Sequence, residues 1–127
     1  MGKFLYEELT KIIIGAAFAV HNALGKGLQE KAYENALQAK LRKLGLTVEQ
    51  QKTLPVFFEN SKIGEQQVDL LVENKIILEV KATSKISKTH VSQLLGYLKN
   101  TRFQLGLLLN FGSRVEIRRF IYTVQNR

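Results

Sequence analysis

The feature that most limits the fold of this chain is an apolar segment at residues 68–82, "VDLLVENKIILEVKA". Two runs of strand-forming residues flank the short turn "ENK", so the segment predicts a β-hairpin. Three charged residues, Asp69, Glu79 and Lys81, interrupt its apolar pattern. Because an ionised group inside a sheet is costly unless it is paired or binds a metal, these charges indicate a functional site.

The segments around this hairpin follow the period of either a helix or a strand. Apolar residues recur at helical spacing in three segments, which we predict to be helices at residues 6–24, 28–44 and 88–100. Strand-like segments occupy residues 46–60, 62–72, 76–82, 105–112 and 115–122. This order predicts the α/β class, with a central mixed β-sheet flanked by helices.

Gly and Pro residues indicate where these elements end or bend. Gly25 and Gly45 are expected to end the first two helices. Pro55 restricts the first strand to a sheet edge or a bulge, because Pro donates no hydrogen bond to a neighbouring strand. Asn60 and Ser61 are expected to turn the chain into the second strand.

The size and composition of the chain are those of one soluble domain, residues 1–127. There is no Cys, which excludes disulfides and thiolate metal sites and makes the cytoplasm the expected location. The apolar run at residues 12–20 follows Glu7 and Glu8 and is too short to span a bilayer. We therefore expect no membrane partner.

The net charge of +8 is distributed unevenly along the chain. Up to residue 79, ten basic and ten acidic residues cancel, whereas residues 80–127 hold nine basic residues against Glu116 alone. Basic residues can simply keep a small domain soluble. An excess confined to one half, beside a candidate acidic site, favours nucleic acid as the partner.

The three charges of the hairpin have spacings that fit a metal-dependent hydrolytic site. Glu79 and Lys81 lie two residues apart and so point to one face of a strand. If the turn is centred on residues 73–75, Asp69 falls opposite Glu79, and two adjacent carboxylates call for a cation such as Mg²⁺ or Mn²⁺. Lys81 would then stabilise the charge of a phosphoryl transition state. The alternative is an ordinary ion pair, Glu79 with Lys81 or Asp69 with Lys75, on a solvated face.

The helix at residues 88–100 adds a second polar group. His90, Gln93 and Tyr97 share one helical face, opposite an apolar face. Because this helix follows the Glu79–Lys81 strand, the polar face is expected along the rim of the site. For His90 taken alone, a surface or capping role is the alternative.

Four ordered blocks of the sequence resemble the GxxExxY proteins, a branch of the PD-(D/E)XK nuclease superfamily. The first, "GLQEKAY" at residues 27–33, has the pattern that names the branch, and "VDLLVENKIILEVKA", "THVSQLLGYL" and "GLLLNFG" follow. The resemblance covers nearly the whole chain and implies a restriction-endonuclease-like core. Val68 stands where the superfamily pattern has Pro.

The resemblance also implies roles for individual residues. The expected catalytic residues are Glu30, Asp69, Glu79, Lys81 and Gln93, and the expected metal ligands are Glu30, Asp69, Glu79 and the carbonyl of Val80. Gln93 and Tyr97 resemble the Q-x-x-x-Y motif of the exonuclease branch. Tyr33 has two interpretations, a core aromatic that fixes its helix or a hydroxyl that contacts phosphate.

The function expected from these observations is a metal-dependent nuclease that cuts nucleic acid, with DNA favoured and little sequence specificity. The alternative is a catalytically silent nuclease-like domain that binds nucleic acid or a protein. The expected nucleic-acid contacts are Tyr33, Lys85, Lys88, His90, Tyr97, Lys99, Arg118 and Arg119. Arg118 and Arg119 point to opposite faces of a strand, so only one should contribute. A homo-oligomer is one way for so small a domain to build a longer basic channel.

Overall fold

The computed structural model describes residues 5–123 of the chain. Three helices and five strands follow one another as α1 (Glu7–Leu24), α2 (Glu30–Lys43), β1 (Val48–Phe58), β2 (Ser61–Val72), β3 (Ile76–Lys81), α3 (Lys88–Asn100), β4 (Leu105–Phe111) and β5 (Val115–Ile121). Each predicted element is present, and the bounds differ by a few residues at most.

The five strands form one mixed sheet with the order β1-β2-β3-β4-β5. β3 and β4 are parallel, because α3 carries the chain back between them, and the other neighbours are antiparallel. α1 and α2 pack on one face of the sheet and α3 packs on the other, with a buried apolar cluster under each layer. The predicted α/β class with a central mixed sheet is therefore confirmed.

The helix ends follow from local chemistry. Gly25 and Gly45 adopt φ angles of 71° and 91°, which favour glycine, at the ends of α1 and α2 as predicted. Ser87 caps α3, because its side chain accepts a hydrogen bond from the amide of His90 while the His90 ring accepts one from the amide of Ser87. No helix within residues 5–123 is long and apolar enough to cross a membrane.

Two tight turns fix the register of the hairpins. Glu73 and Asn74, with φ angles of 54° and 53°, form the turn between β2 and β3. That turn aligns Leu70 with Leu78. Between β1 and β2 the residues with positive φ are Glu59 and Asn60, so the expected turn at Asn60 and Ser61 lies one residue earlier in the structure.

β1 is an edge strand and carries a register shift between Val56 and Phe57, as Pro55 predicted. Its side-chain alternation also changes phase at Gln51, a non-glycine residue with a φ angle of 52°. Val48 belongs to the cluster under α1 and α2, whereas Leu54 belongs to the cluster under α3. The outer part of the β1–β2 hairpin thus packs toward α3.

α3 packs closely against β4. A Cβ atom added at Gly106 would lie 2.7 Å from the Cδ1 of Leu94, which is fully buried. A larger residue at this position would therefore force the buried Leu94 side chain to shift.

Candidate active site

Asp69 and Glu79 face each other at the point where the pairing of β2 and β3 ends. The last aligned pair is Leu70 and Leu78, so the next position along the hairpin brings Asp69 opposite Glu79. The Asp69 amide donates a hydrogen bond of 2.9 Å to the Glu79 carboxylate, and the Val80 amide donates one of 2.8 Å to the Asp69 carboxylate. The two side chains therefore replace the backbone hydrogen bonds that the separating strands no longer make.

Burial and nearby negative charges raise the pKa of both carboxyl groups. Only 3% of Glu79 is exposed, and burial, reinforced by the charge of Asp69, raises the pKa of its carboxyl group to about 8. Burial also raises the pKa of Asp69, although the hydrogen bond from Val80 opposes the shift. Buried carboxyl groups with a raised pKa are stabilised either by binding a proton or by a neighbouring cation.

Lys81 is the cation of the site. Its side chain is 16% exposed, and its Nζ lies 3.9 Å from a carboxylate oxygen of Glu30 and 3.5 Å from the amide oxygen of Gln93. Its charge lowers the pKa of both Asp69 and Glu79, though less than burial raises them. The structure thus brings the five residues predicted to be catalytic into one group, from α2, β2, β3 and α3.

Tyr97 lies against the same carboxylates. Burial raises the pKa of its hydroxyl, and the charges of Glu79 and Asp69 add to the shift, while a hydrogen bond with Gln93 opposes it. Tyr97 and Gln93 are one helical turn apart on α3 and face the site together. The polar face predicted for this helix is therefore turned toward the carboxylate pair, and the predicted role of Tyr97 in nucleic-acid binding stays a prediction.

Two residues of the site were not predicted from the sequence. Glu34 is 3% exposed, and its carboxylate accepts hydrogen bonds of 2.8 Å from both Gln50 and Gln51. Gln51 also approaches Asp69 at 3.4 Å, and the charge of Glu34 contributes to the raised pKa of Asp69. The i, i+4 spacing of Glu30 and Glu34 was the available signal, because it places both on one face of α2.

The donor set of the site fits a hydrated divalent cation. Asp69 and Glu79 provide two adjacent carboxyl groups, and burial raises the pKa of both. A bound cation would stabilise their charged forms and so lower both pKa values. Within residues 5–123, no three His, Cys, Asp or Glu side chains are placed to hold one metal ion. Mg²⁺ can be held by one or two carboxylates, with waters completing its coordination. The ligand roles expected for Glu30 and for the Val80 carbonyl stay predictions.

Of the two roles predicted for Tyr33, the structure supports the first, a core aromatic that fixes its helix. The side chain is fully buried, its ring stacks on Phe111, and its hydroxyl donates a 2.6 Å hydrogen bond to the Gly25 carbonyl and accepts one from the Leu28 amide. The expected phosphate contact is therefore not supported, because the hydroxyl is committed to the loop before α2.

The remaining basic and polar candidates are distributed over the α3 side of the molecule. Lys85, Lys88 and Lys99 are exposed, Lys85 and Lys88 before or at the start of α3 and Lys99 at its end. His90, also expected to contact nucleic acid, has its Nδ1 occupied by the α3 cap, which matches its alternative capping role.

Arg118 and Arg119 point to opposite faces, as the strand period predicts. Arg118 aligns with Leu108 and through it with Glu79, which places it on the α3 face of the sheet. It also lies 3.4 Å from the carboxylate of Glu116. Arg119 aligns with Leu107 on the opposite face and donates a 3.0 Å hydrogen bond to the Leu5 carbonyl. Arg118 is therefore the member of the pair that shares a face with the site.

Comparisons with known proteins agree with this geometry. Residues 7–120 match a family model described as the PD-(D/E)XK nuclease superfamily. Among solved structures, the crystal structure of SSO0001 is similar in fold, with a TM-score of 0.58 and 16% sequence identity over 98% of this chain. The chain spans 62% of the length of that protein. No curated protein shows significant similarity to the sequence.

Proposed function

The chain belongs to the PD-(D/E)XK nuclease superfamily, and we propose that it is a metal-dependent nuclease that hydrolyses the phosphodiester bonds of nucleic acid, with DNA as the favoured substrate. The observation that carries this proposal is the pair formed by the buried Glu79 and the half-buried Asp69, with Lys81 beside it. A pair of carboxylates whose charges repel each other is unfavourable in a structural core, whereas it is the arrangement that a hydrolytic metal site requires.

The residues around the pair have separate parts in this mechanism. A divalent cation such as Mg²⁺ or Mn²⁺, held by Asp69 and Glu79, would polarise the phosphate and activate water. Lys81 carries a charge that can neutralise the negative charge that develops on the phosphoryl oxygens. The Gln93 amide oxygen at 3.5 Å and the Glu30 carboxylate at 3.9 Å orient the Lys81 ammonium group toward that position.

Within the superfamily we assign the chain to the GxxExxY branch. Its three named residues have a common structural purpose that supports the assignment. Gly27 has a φ angle of 101°, which favours glycine, in the loop before α2. Tyr33 ties that loop to the helix through Gly25 and Leu28. Glu30, the first residue of α2, is thereby held within reach of Lys81.

The proposed nuclease has little sequence specificity. Reading bases requires side chains that reach base edges in a groove of the duplex. The described elements build one sheet and its three helices, and they leave no further module for that purpose within residues 5–123. Contacts with the phosphate backbone, from exposed cations such as Lys85 and Lys88, are then the main source of affinity.

The proposal is tested by incubating the purified protein with labelled linear duplex, circular duplex and single-stranded DNA and RNA. Each substrate is combined with Mg²⁺, with Mn²⁺ and with a chelator, and the variant Glu79→Gln serves as the control. We expect cleavage with Mg²⁺ or Mn²⁺ that disappears with the chelator and in the variant. Binding without cleavage under every condition would instead identify a catalytically silent binding domain.

A further inference from the structure

An open groove of about 760 Å³ lies between the β1–β2 hairpin and the end of α3. One wall consists of Lys52, Thr53, Leu54, Pro55, Phe57 and Asn60, and the other includes residues 99–103 and Asn74. Neither Asp69 nor Glu79 lines it. We call it the hairpin groove, and it is separate from the residues of the proposed catalytic centre.

The hairpin groove is positively charged. Three cations, Lys52, Lys99 and Arg102, line it, and none of its lining residues is an Asp or Glu. Lys52 is neutralised by Glu49 at 2.8 Å. Lys99 and Arg102 are exposed, and neither forms an ion pair within residues 5–123. Two uncompensated charges in one concavity favour an anionic ligand.

The groove also presents an aromatic ring and several amides to solvent. Phe57 is 56% exposed, although it lines a concave surface beside cations. Arg102 is fixed in place, because it donates a 2.8 Å hydrogen bond to Asn74 and lies 4.2 Å from the centre of the Phe103 ring. Asn60 and Asn100 are further exposed hydrogen-bonding groups in the lining.

This combination points to an unpaired strand of nucleic acid. Proteins bind single strands by contacting the phosphates with cations and stacking bases on exposed aromatic rings. The bases of a duplex are stacked on one another, so an exposed Phe57 ring has no free base face to stack on. An acidic protein segment would use the cations but would not need a stacking surface.

Two elements connect the hairpin groove with the proposed catalytic centre. β1 passes directly from Gln51, which contacts Asp69, to Lys52 in the groove. α3 carries Gln93 beside Lys81 and Lys99 in the groove, about 9 Å apart along the helix axis at 1.5 Å per residue.

We propose that the hairpin groove binds single-stranded nucleic acid, with Phe57 stacking on a base and Lys99 and Arg102 contacting phosphates. The inference deepens the proposed function and rests on it, since it makes an unpaired strand next to the cut bond part of the substrate. A frayed end or a single-stranded flank supplies such a strand.

The phosphate contacts are tested by fluorescence polarisation in a chelator, where the protein cannot cut. The ligands are labelled oligo(dT), oligo(rU) and a blunt hairpin duplex, and the variants are Lys99→Ala with Arg102→Ala and, as a control, Lys43→Ala on α2. We expect the double variant to bind single strands at least tenfold more weakly and the control to bind normally. The log-log salt slope should fall in magnitude by about 1.4, at about 0.7 per phosphate contact on a single strand.

The stacking contact is tested with Phe57→Leu, which keeps an apolar side chain but removes the ring. We expect at least about fivefold weaker binding of oligo(dT). Binding of an abasic oligomer of the same charge should not change. Equal losses on both ligands, or no loss on either, would overturn the stacking role.

The outcomes separate this inference from the proposed function. If the protein cuts DNA but groove variants bind single strands normally, the groove inference is wrong and the nuclease proposal stands. If groove variants lose single-strand binding but no substrate is cut with any metal, the groove is a single-strand binding site, but the nuclease proposal falls and with it the claim that this strand belongs to a nuclease substrate. Competition by polyglutamate, with Phe57→Leu behaving normally, would identify the groove as a site for an acidic protein and overturn the inference.

Discussion

Asp69 and Glu79 each accept a hydrogen bond from the backbone of the opposite strand, at 2.9 Å from the Asp69 amide and 2.8 Å from the Val80 amide. The reciprocal arrangement holds two carboxyl groups together at the point where β2 and β3 separate. The hydrogen bonds stabilise the charged forms, while burial opposes them more strongly. The relationship between these two residues determines how the metal-free protein responds to pH.

The metal-free protein should lose stability as the pH rises toward 8. Because the pKa of Glu79 is raised from an ordinary value of 4.5 to about 8, the folded state holds a proton that the unfolded state releases. The free energy of unfolding should therefore be greatest near pH 5 and decrease by an amount on the order of 3 kcal/mol by pH 8. Urea unfolding in a chelator, at several pH values, measures this change.

The matched control for this effect is Glu79→Gln, which keeps the shape of the side chain without its charge. At pH 5 the variant and the wild-type protein should be similar in stability, and at pH 8 the variant should be the more stable. A difference that does not change with pH would contradict the raised pKa.

Substitutions of Asp69 and Lys81 should have different effects: loss of Asp69 should abolish metal binding, whereas loss of Lys81 should reduce cleavage without affecting metal binding. Asp69→Asn removes a metal ligand, so Mg²⁺ or Ca²⁺ should no longer raise its melting temperature. Lys81→Met removes a cation near the proposed metal position, so the metal-induced shift should remain, while cleavage falls at least about 100-fold. Thermal denaturation with and without metal, and cleavage rates, measure the two effects. Loss of the metal shift in Lys81→Met would place this residue in metal binding instead.

The side chain of Gln51 should stabilise the folded protein, whereas its backbone conformation should destabilise it. Gln51→Ala loses the hydrogen bond to Glu34 and keeps the unfavourable φ of 52°, so we expect a loss of about 1–2 kcal/mol. Gln51→Gly loses the same side chain but tolerates that φ, and it should be more stable than the Ala variant by about 1 kcal/mol. Equal unfolding free energies for the two variants would show that the backbone at Gln51 is not strained.

Arg118 and Arg119 should differ in what their removal affects. Arg118→Ala should weaken duplex binding in Ca²⁺ and lower the magnitude of the salt slope by about 0.9, because Arg118 shares a sheet face with Glu79. Arg119→Ala should bind normally but unfold more easily, since Arg119 holds the Leu5 carbonyl. Binding titrations across a salt series and thermal melts compare the two. The reverse pattern would mean that nucleic acid approaches the α1 face.

The elements and the central pair could be predicted because their signals are local. The short turn at residues 73–75 fixes which residues of β2 and β3 face each other, so the sequence predicted Asp69 opposite Glu79. The helical period of α3 predicted that Gln93 and Tyr97 share one face, whereas the contact of Gln93 with Lys81 is known only from the structure. The α/β class followed from the same local periods, and the superfamily followed from the four ordered blocks of residues.

The unpredicted parts depend on long-range geometry. Gln51 enters the site because β1 changes phase at that residue, and no sequence pattern predicts a positive φ at a glutamine. Glu34 is buried because Gln50 and Gln51, from a strand that follows α2, reach its carboxylate. The hairpin groove exists only because the outer β1–β2 hairpin packs toward α3.

The order of the strands has a consequence for how the chain folds. Every strand pairs with its neighbour in sequence, but the pairs differ in how they close: the three antiparallel hairpins form through short turns, whereas the parallel β3–β4 pair closes only across α3. Contacts of large sequence separation join α1 to the other end of the chain, as where His21 Nε2 donates a 2.8 Å hydrogen bond to the Gly112 carbonyl. We therefore expect α1 to dock last and to open first. In native-state hydrogen exchange, its amides should exchange through a partial opening of lower free energy than the amides of β3 and β4.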